Sequence, residues 1–568
     1  MTWVVELAHS GSLFRMHIRM KNLSNNPKSV EWFPIWTASR NVLGGVERVR
    51  WWKSLSFYQE ELPCTQDLEL NLSSRLHSSD DIQDGVNPYW MLAGPKGRLY
   101  FGIEWCGGWK ARLTGAENGI SFSICLPPEE TQLVLEPGES IDGPIVYVFA
   151  TQETQDTTAR RDWMIQRMDL ARKLYPAPEP SFPLVWNHWY SIRFAVDADF
   201  LRRQVDHLAS FGFDAFVVDA GWYEKVGQWI PAAEKFQPGE FESILRSAKK
   251  QVNRVGIWTC PQFVSMQDGQ IPPEVDQPVF YRKFIDGYLL DFVGCDFTTL
   301  LRTHVAFLRD RYKIDWWKYD QDLFVDHTRA GVMKNVIAFQ DALKAVRKDH
   351  PGLFIENCQS GGRMTNELTL LACQTQWLRD GGNNGLEHAR QNIDVALGAM
   401  EFVFPWEACR WTNNISRMDS EDEELIRFYC RSAMAGTWGI VDDLPELSEQ
   451  HRKVIFKEIQ DYRRLNAIKF DCLYNLILPK EKADYAGVVF YDAQGTKAGI
   501  LLYRWDGDAS IRDRLPLQFL DSGKRYRIEN VDTNWIGIGE GGDLITEGLH
   551  VFMESDQLSV MYFVEATE

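Results

Sequence analysis

Basic residues are in deficit in this chain: 61 Lys and Arg stand against 79 Asp and Glu, a net charge of −18. Such a surface repels phosphate backbones and anionic membranes alike, so nucleic acid is not an expected partner. No run reaches the roughly 18 apolar residues of a membrane span. The opening MTWVVELAHSGSLFRMHIRM has neither a basic n-region nor a continuous apolar stretch. The expectation is a soluble, cytoplasmic protein without a membrane partner. Ten cysteines lie scattered with no CxxC pair or finger spacing, and the 11 histidines form no HExxH. Unpaired thiols in a reducing compartment are usually buried small hydrophobes, so neither disulfides nor a zinc centre is called for. A GxxxxGK[ST] loop is also missing. No metal and no cofactor are expected.

Aromatic residues are plentiful instead, 13% of the chain with 22 Trp, in a sequence that is 45% hydrophobic and 25% charged. That composition excludes a disordered or fibrous protein and calls for large cores or ring-stacking surfaces. At 568 residues, more than one core is required. Residues 1–178 read as a β-sandwich domain of short aromatic and β-branched strands broken by turns, such as GRLYFGIEWCGGWKARL from Gly97. A linking helix, DTTARRDWMIQRMDLARKL, carries Trp163, Ile165, Met168 and Leu170 at roughly helical spacing, and the proline-rich PAPEPSFP follows it.

From 179 to 468 short apolar runs alternate with helical periods, the pattern of βα units around a parallel sheet. The runs PLVWNHW, FDAFVVDAGW, RVGIWTCP, KIDWWKYD, LFIENC, TQWLRD, MEFVFP and GTWGIV number eight, as a closed (β/α)8 TIM barrel requires. Between them, Asp197 is placed to cap a helix bearing Leu201, Val205 and Leu208. Another helix carries Val332, Val336, Phe339, Leu343 and Val346 on one face. Residues 469–568 return to β-pattern and read as a small C-terminal β-sandwich. The fold class is thus multidomain α/β, a barrel flanked by two β-domains.

Active sites of such barrels lie at the C-terminal ends of the strands. There Lys318, Tyr319 and Asp320 close the fourth run, Glu356 to Arg363 follow the fifth, Arg379 and Asp380 close the sixth, and Asp219 closes the second. Two carboxylates on neighbouring strands can flank a glycosidic bond, one attacking the anomeric carbon and one protonating the leaving oxygen. A strand-end Asp can equally cap a helix or pair with a neighbouring cation, as Arg379 could pair with Asp380. Asp320 has the sharper context, since Lys318 two residues before it favours the anion a nucleophile needs.

At these residues the sequence resembles the α-galactosidases of glycoside hydrolase family 36 and, more distantly, family 27. Lys318-Tyr319-Asp320 matches the family's Lys-aromatic-Asp nucleophile motif. Asp380 falls 60 residues on, where the acid/base is expected. Asn187-His188-Trp189, Asp219-Ala220-Gly221-Trp222 and Gly256-Ile257-Trp258 resemble the first three strand ends, and Glu356-Asn357-Cys358-Gln359-Ser360-Gly361-Gly362-Arg363 resembles the Cys-plus-glycines loop at the sugar's edge.

The resemblance implies a retaining α-glycosidase with Asp320 as nucleophile and Asp380 as acid/base. Lys318, Asp219, Trp189, Trp222, Trp258, Cys358, Ser360, Gly361 and Arg379 would contact substrate. The partner would be a small oligosaccharide or glycoside, with assembly into a homo-oligomer also allowed for. Ala220 stands where the family has a second carboxylate, Arg379-Asp380-Gly381 replaces its usual Ser-Asp-Asp, and Arg282 is a distant stand-in for an Arg the family often places before Leu-Asp. These departures leave α-N-acetylgalactosaminides and other α-sugars open as substrates. Transglycosylation and noncatalytic sugar binding are the alternative functions. Most tryptophans are expected to pack cores, Cys358 to be a packed thiol, and His188 and His327 to be hydrogen-bonded structural residues.

Overall fold

The computed structural model describes the chain apart from residues 1, 8–11, 31–32, 41–42, 54–58, 65–67, 75–85, 117–118, 132, 266–278, 285–286, 321–330, 381–384, 413, 419, 479–483 and 568. Two compact units are distinguished. The first comprises Met1–Glu179, Ile192–Val205 and Ala215–Asp380, and the second Pro180–Ser191, Asp206–Asp214 and Gly381–Glu568.

The N-terminal part of the first unit consists mainly of two antiparallel sheets. Trp90, wholly buried, sits between them, with ring centroids 5.6 Å from Phe101 in its own sheet and 5.6 and 5.2 Å from Trp109 and Phe122 in the other. Truncating a ring so enclosed costs about 3–5 kcal/mol. The linking helix runs from Asp156 to Leu174 and buries Ala159, Arg160, Trp163, Met164, Arg167 and Leu170. Ile165 and Met168 are only half-buried. The inward stripe thus includes Arg167, whose charge hides it from a hydrophobic-periodicity reading. It is paired with Glu367 at 3.0 Å, both side chains fully enclosed.

Eight parallel strands form a closed barrel: Leu184–Asn187, Ala215–Val218, Arg254–Thr259, Trp316–Tyr319, Phe354–Asn357, Thr375–Trp377, Ala408–Trp411 and Thr437–Ile440. Seven coincide with the runs read from sequence. The seventh does not: strand seven is Ala408–Trp411, while Glu401–Phe404, within the run MEFVFP, is turn and irregular backbone after the helix Leu386–Ala399. Pro405 closes that run without an N–H for a sheet ladder. Phe402, Val403 and Phe404 are buried as a turn, and burial alone imitates a strand's apolar signal.

The helix expectations in the barrel hold with one correction. Asp197 accepts the Phe200 N–H at 2.8 Å as an N-cap does, and Leu201 and Val205 are buried on the helix Ala198–Val205, but that helix ends there and the buried Leu208 opens a separate short helix, Leu208–Phe211. Val332, Val336, Phe339, Leu343 and Val346 all face inward on the helix Val332–Asp349.

In the second unit, the C-terminal part has a six-stranded antiparallel sheet and a two-stranded one. Ile500, Leu502, Tyr526, Val551 and Met553 are among its shared core residues. Among the described residues no helix is long and apolar enough to cross a membrane.

Candidate active site

Parallel register aligns the third, fourth and fifth barrel strands. Trp258 is level with Lys318, and Lys318 with Glu356. Lys318 is 2% exposed, a burial that disfavours an ammonium. Its Nζ lies 2.9 Å from Asp219 Oδ2 and 3.4 Å from Glu356 Oε1. Burial pulls its pKa down, but the charges of Asp219 and Glu356, with Cys358 and Asp320 adding, outweigh this and hold it well above the ordinary lysine value. Glu356 is pushed up by its own burial, against the pull of Lys318 and of the Trp316 indole, which donates to Oε2 at 2.9 Å. The barrel interior at this level is therefore a permanent cation between two acids.

Asp320 follows strand four directly and is half-buried. Its backbone N–H donates to the Thr259 carbonyl (3.3 Å), and its carbonyl accepts from Gln262 Nε2 (2.8 Å). Its carboxylate Oδ2 accepts the indole N–H of Trp258 at 2.8 Å. Asp380 is held in a parallel way, with Oδ1 accepting the indole N–H of Trp377 at 2.7 Å. The Trp377 ring also lies 5.2 Å beneath the Lys318 ammonium. Asp380 is open to solvent on one side and crowded by protein on the other. That crowding, followed by the charge of Asp320, raises its carboxyl to about 6 against the opposing Trp377 hydrogen bond and Lys318 charge. A carboxyl that keeps its proton up to about pH 6, beside a second carboxyl group, is suited to act as a proton donor.

The loop after strand five reaches Asp380 through its glycines. Gly361 and Gly362 have φ of +81° and +80°, and a Cβ on them would stand 2.0 Å from the Asp380 nitrogen and 2.2 Å from the Leu378 carbonyl oxygen. Backbone lies on backbone there, and only glycine allows both the conformation and the approach. Gly361→Ala is accordingly expected to displace Asp380 and lower kcat/KM by about 10²-fold, the order that a 1 Å misplacement costs. An unchanged pH profile and rate would show that Asp380 tolerates the shift. Cys358, 2% exposed, has its thiol pushed well above the ordinary value by burial and then by the charge of Asp320. It stays protonated and is not a nucleophile.

Of the other residues picked out by sequence, Asp219 is buried beside Lys318 and accepts the Ala220 N–H at 2.8 Å. Trp258 stacks on Tyr223 with centroids 5.6 Å apart. Arg379 is half-buried next to Asp380. Trp222 departs from the expected sugar contact. It has no exposed surface, stacks on Phe241 at 5.0 Å, and donates its indole N–H to the Trp258 carbonyl. Its ring has no face left for a ligand, because Phe241 stacks on it and Tyr223, Trp229 and Tyr312 crowd around it. Trp189 belongs to the second unit. It is half-buried and opens the short helix Trp189–Ile192, its N–H donating to Asn187 Oδ1 at 2.8 Å. His188, in the same unit, is fully buried 6.4 Å from the Trp186 ring. The side chains of Ser360 and Arg282, and all of Gly381 and His327, lie outside the described residues.

Glu356 and Trp377 enter the sequence reading only inside motifs, without a role of their own, and Gln262 does not enter it. Glu356 was legible in principle, since alternation along strand five points it inward beside Lys318. Gln262 carried no signal. Among the described residues no group of three or more His, Cys, Asp or Glu side chains is arranged to hold a metal.

Residues 140–470 match the family model described as Melibiase. This chain belongs to the melibiase family. The family-36 resemblance carried by its strand-end motifs therefore stands. Among relatives of this melibiase-family chain, α-galactosidase Mel36A of Lactobacillus acidophilus is 22% identical over 392 residues, which cover 64% of this chain and 51% of the relative. The chain thus spans about half the length of Mel36A. The probable α-galactosidase G of Emericella nidulans is 21% identical over 515 residues, covering 84% of this chain and 68% of that one. In fold, the chain is similar to the crystal structure of α-galactosidase AgaA from Geobacillus stearothermophilus. The TM-score is 0.81 at 17% identity, with 98% of this chain and 80% of the other covered.

Proposed function

We propose that the chain is a retaining α-glycosidase of α-galactosidase type, with Asp320 as nucleophile and Asp380 as acid/base. The observation that carries this reading is the pair of indole-held carboxylates, Trp258–Asp320 and Trp377–Asp380, of which one has its pKa raised to about 6 in part by the other's charge. Protonated Asp380 gives its proton to the glycosidic oxygen while Asp320 bonds to the anomeric carbon. The resulting carboxylate of Asp380 then takes a proton from the water that releases the sugar. The Trp258 hydrogen bond on Oδ2 fixes the rotation of the Asp320 carboxylate and so the direction from which its other oxygen approaches. The Lys318 ammonium, enclosed with Asp219 and Glu356, compensates the negative charge gathered around the sugar.

Solved variants of AgaA hold raffinose and stachyose. A terminal α-galactoside on a small oligosaccharide is the substrate class we infer for this chain too, acting in the cytoplasm, with residues 1–178, 179–468 and 469–568 as its domains. The test is proton NMR of the first sugar released from an aryl α-galactoside. The α-anomer is expected, and initial release of β-anomer would replace double displacement by inversion. A ligand-bound crystal structure should put the Asp320 and Asp380 carboxyls about 5 to 6 Å apart, whereas a gap near 9 Å favours inversion.

Ala220 supports a specificity looser than usual. A buried group that hydrogen-bonds a hydroxyl discriminates strongly, whereas an apolar methyl contributes only about 1 to 3 kcal/mol of selectivity. Comparing kcat/KM for aryl α-galactoside, α-N-acetylgalactosaminide and α-glucoside, wild type is expected to discriminate weakly and Ala220→Asp to sharpen the preference for galactose. Strong galactose preference in wild type, with no gain in the variant, would assign that role to another residue.

A further inference from the structure

The six-stranded C-terminal sheet ends in an edge that lacks the usual protection. Strand Trp535–Glu540 stands last in the sheet order and pairs antiparallel with Arg525–Asn530. Its sequence, WIGIGE, contains neither a lysine nor a proline to discourage further pairing. Trp535, Ile536 and Ile538 are 53%, 55% and 52% exposed. Single exposed hydrophobic residues are ordinary, but three on one edge strand mark an interaction surface. Gly537, Gly539 and Gly542 do have the spacing of a dinucleotide-binding loop. The strand is antiparallel, however, and the helix that follows, Gly541–Thr546, spans only six residues, so no phosphate cradle forms.

The register divides these side chains between two faces. Ile536 and Ile538 lie opposite Glu529 and Arg527 on the outer face, while Trp535, Gly537 and Gly539 lie opposite the buried Asn530, Ile528 and Tyr526 on the inner one. The Trp535 ring rests over Gly537, where a Cβ would stand 2.3 Å from its Cη2. This arrangement is complementary to itself. If a second copy runs antiparallel with Gly537 facing Gly537, then Ile536 meets Ile538 of the second copy, and Ile538 meets its Ile536. Four isoleucines then gather on the outer face. On the inner face each Trp535 stands opposite Gly539 of the other copy, an aromatic over a residue with no side chain of its own. Glu540 already has its charge paired with Arg525 at 3.0 Å, so the strand's terminal carboxylates need not repel. An unrelated strand would have to supply this pattern by chance, whereas a second copy supplies it by symmetry.

We propose that strand Trp535–Glu540 is a homodimer interface, formed by antiparallel edge pairing of two copies about Gly537. The surface lies on strands that carry none of the residues assigned to catalysis, and the inference does not depend on the proposed activity. Sedimentation analysis of the full chain over a concentration series tests it. Wild type is expected to dimerise, and Ile538→Lys, with the milder Ile536→Thr, to weaken the association, by about tenfold for the lysine, through loss of the two symmetry-related isoleucine pairs. Melting temperature and turnover should not change. Register is tested by mild oxidation of Ile536→Cys protein mixed with Ile538→Cys protein, which should form disulfide-linked dimers that neither forms alone. A wild type that stays monomeric up to its solubility overturns the proposal. So does association unaltered in both substituted proteins, or a mixture that cross-links no more than its components.

Discussion

Asp320→Ala is expected to fold normally and to lose about four to six orders of magnitude in kcat, because removing a covalent nucleophile removes the route and not merely a contact. The vacated space beneath the Trp258 indole can admit a small anion. Azide should therefore restore part of the rate on an activated aryl α-galactoside and yield the β-glycosyl azide, having attacked from the face that the carboxylate occupied. Product analysis by NMR reads both outcomes. Hydrolysis by the variant at a rate near wild type, without azide, would take Asp320 out of the nucleophile role. Turnover that is lost without any azide product would leave the pairing of Asp320 with the anomeric carbon unsupported.

The second large effect concerns Asp380 and is best read as a pH profile. Its carboxyl is raised to about 6, so it carries a proton below that pH and loses it above. As general acid it must be protonated for the first step, and kcat/KM should fall as pH rises through about 6. Asp380→Ala should abolish that limb and lower kcat/KM on an oligosaccharide by about 10²–10⁴-fold. An aryl glycoside with a good leaving group should lose far less, since its departure needs little protonation. Trp377→Phe offers a signed control. The indole bond to Asp380 Oδ1 favours the charged form and lowers the pKa, so its removal should move the limb to higher pH. A limb that stays in place in Trp377→Phe, or survives in Asp380→Ala, would assign the titration to another group.

These expectations rest on residues of unequal legibility. Strand four was plain in KIDWWKYD because its apolar run, its lysine and its terminal aspartate follow one another within eight residues, and strand ends are where barrels keep their chemistry. The run MEFVFP had the same apolar look and is a buried turn, since composition reports burial and not backbone pairing. Trp222 and Trp258 looked alike as strand-end indoles. One is sealed against Phe241 and the other donates to Asp320, a difference made by partners distant in sequence.

By itself, then, the sequence determined the order of elements and the βα alternation and singled out the two aspartates proposed as the catalytic pair, because these depend on periodicity and on neighbours along the chain. Only the tertiary structure decided that Glu356 and Asp219 share one lysine, that the carboxylates of Asp320 and Asp380 are each held by a tryptophan of their own, and that Gly361 lies against the Asp380 backbone. Those relations depend on which residues parallel register sets at one level of the barrel. The pKa of Asp380 depends on them in turn, since crowding by surrounding protein and a neighbouring charge are properties of position in space and have no counterpart in a string of residues.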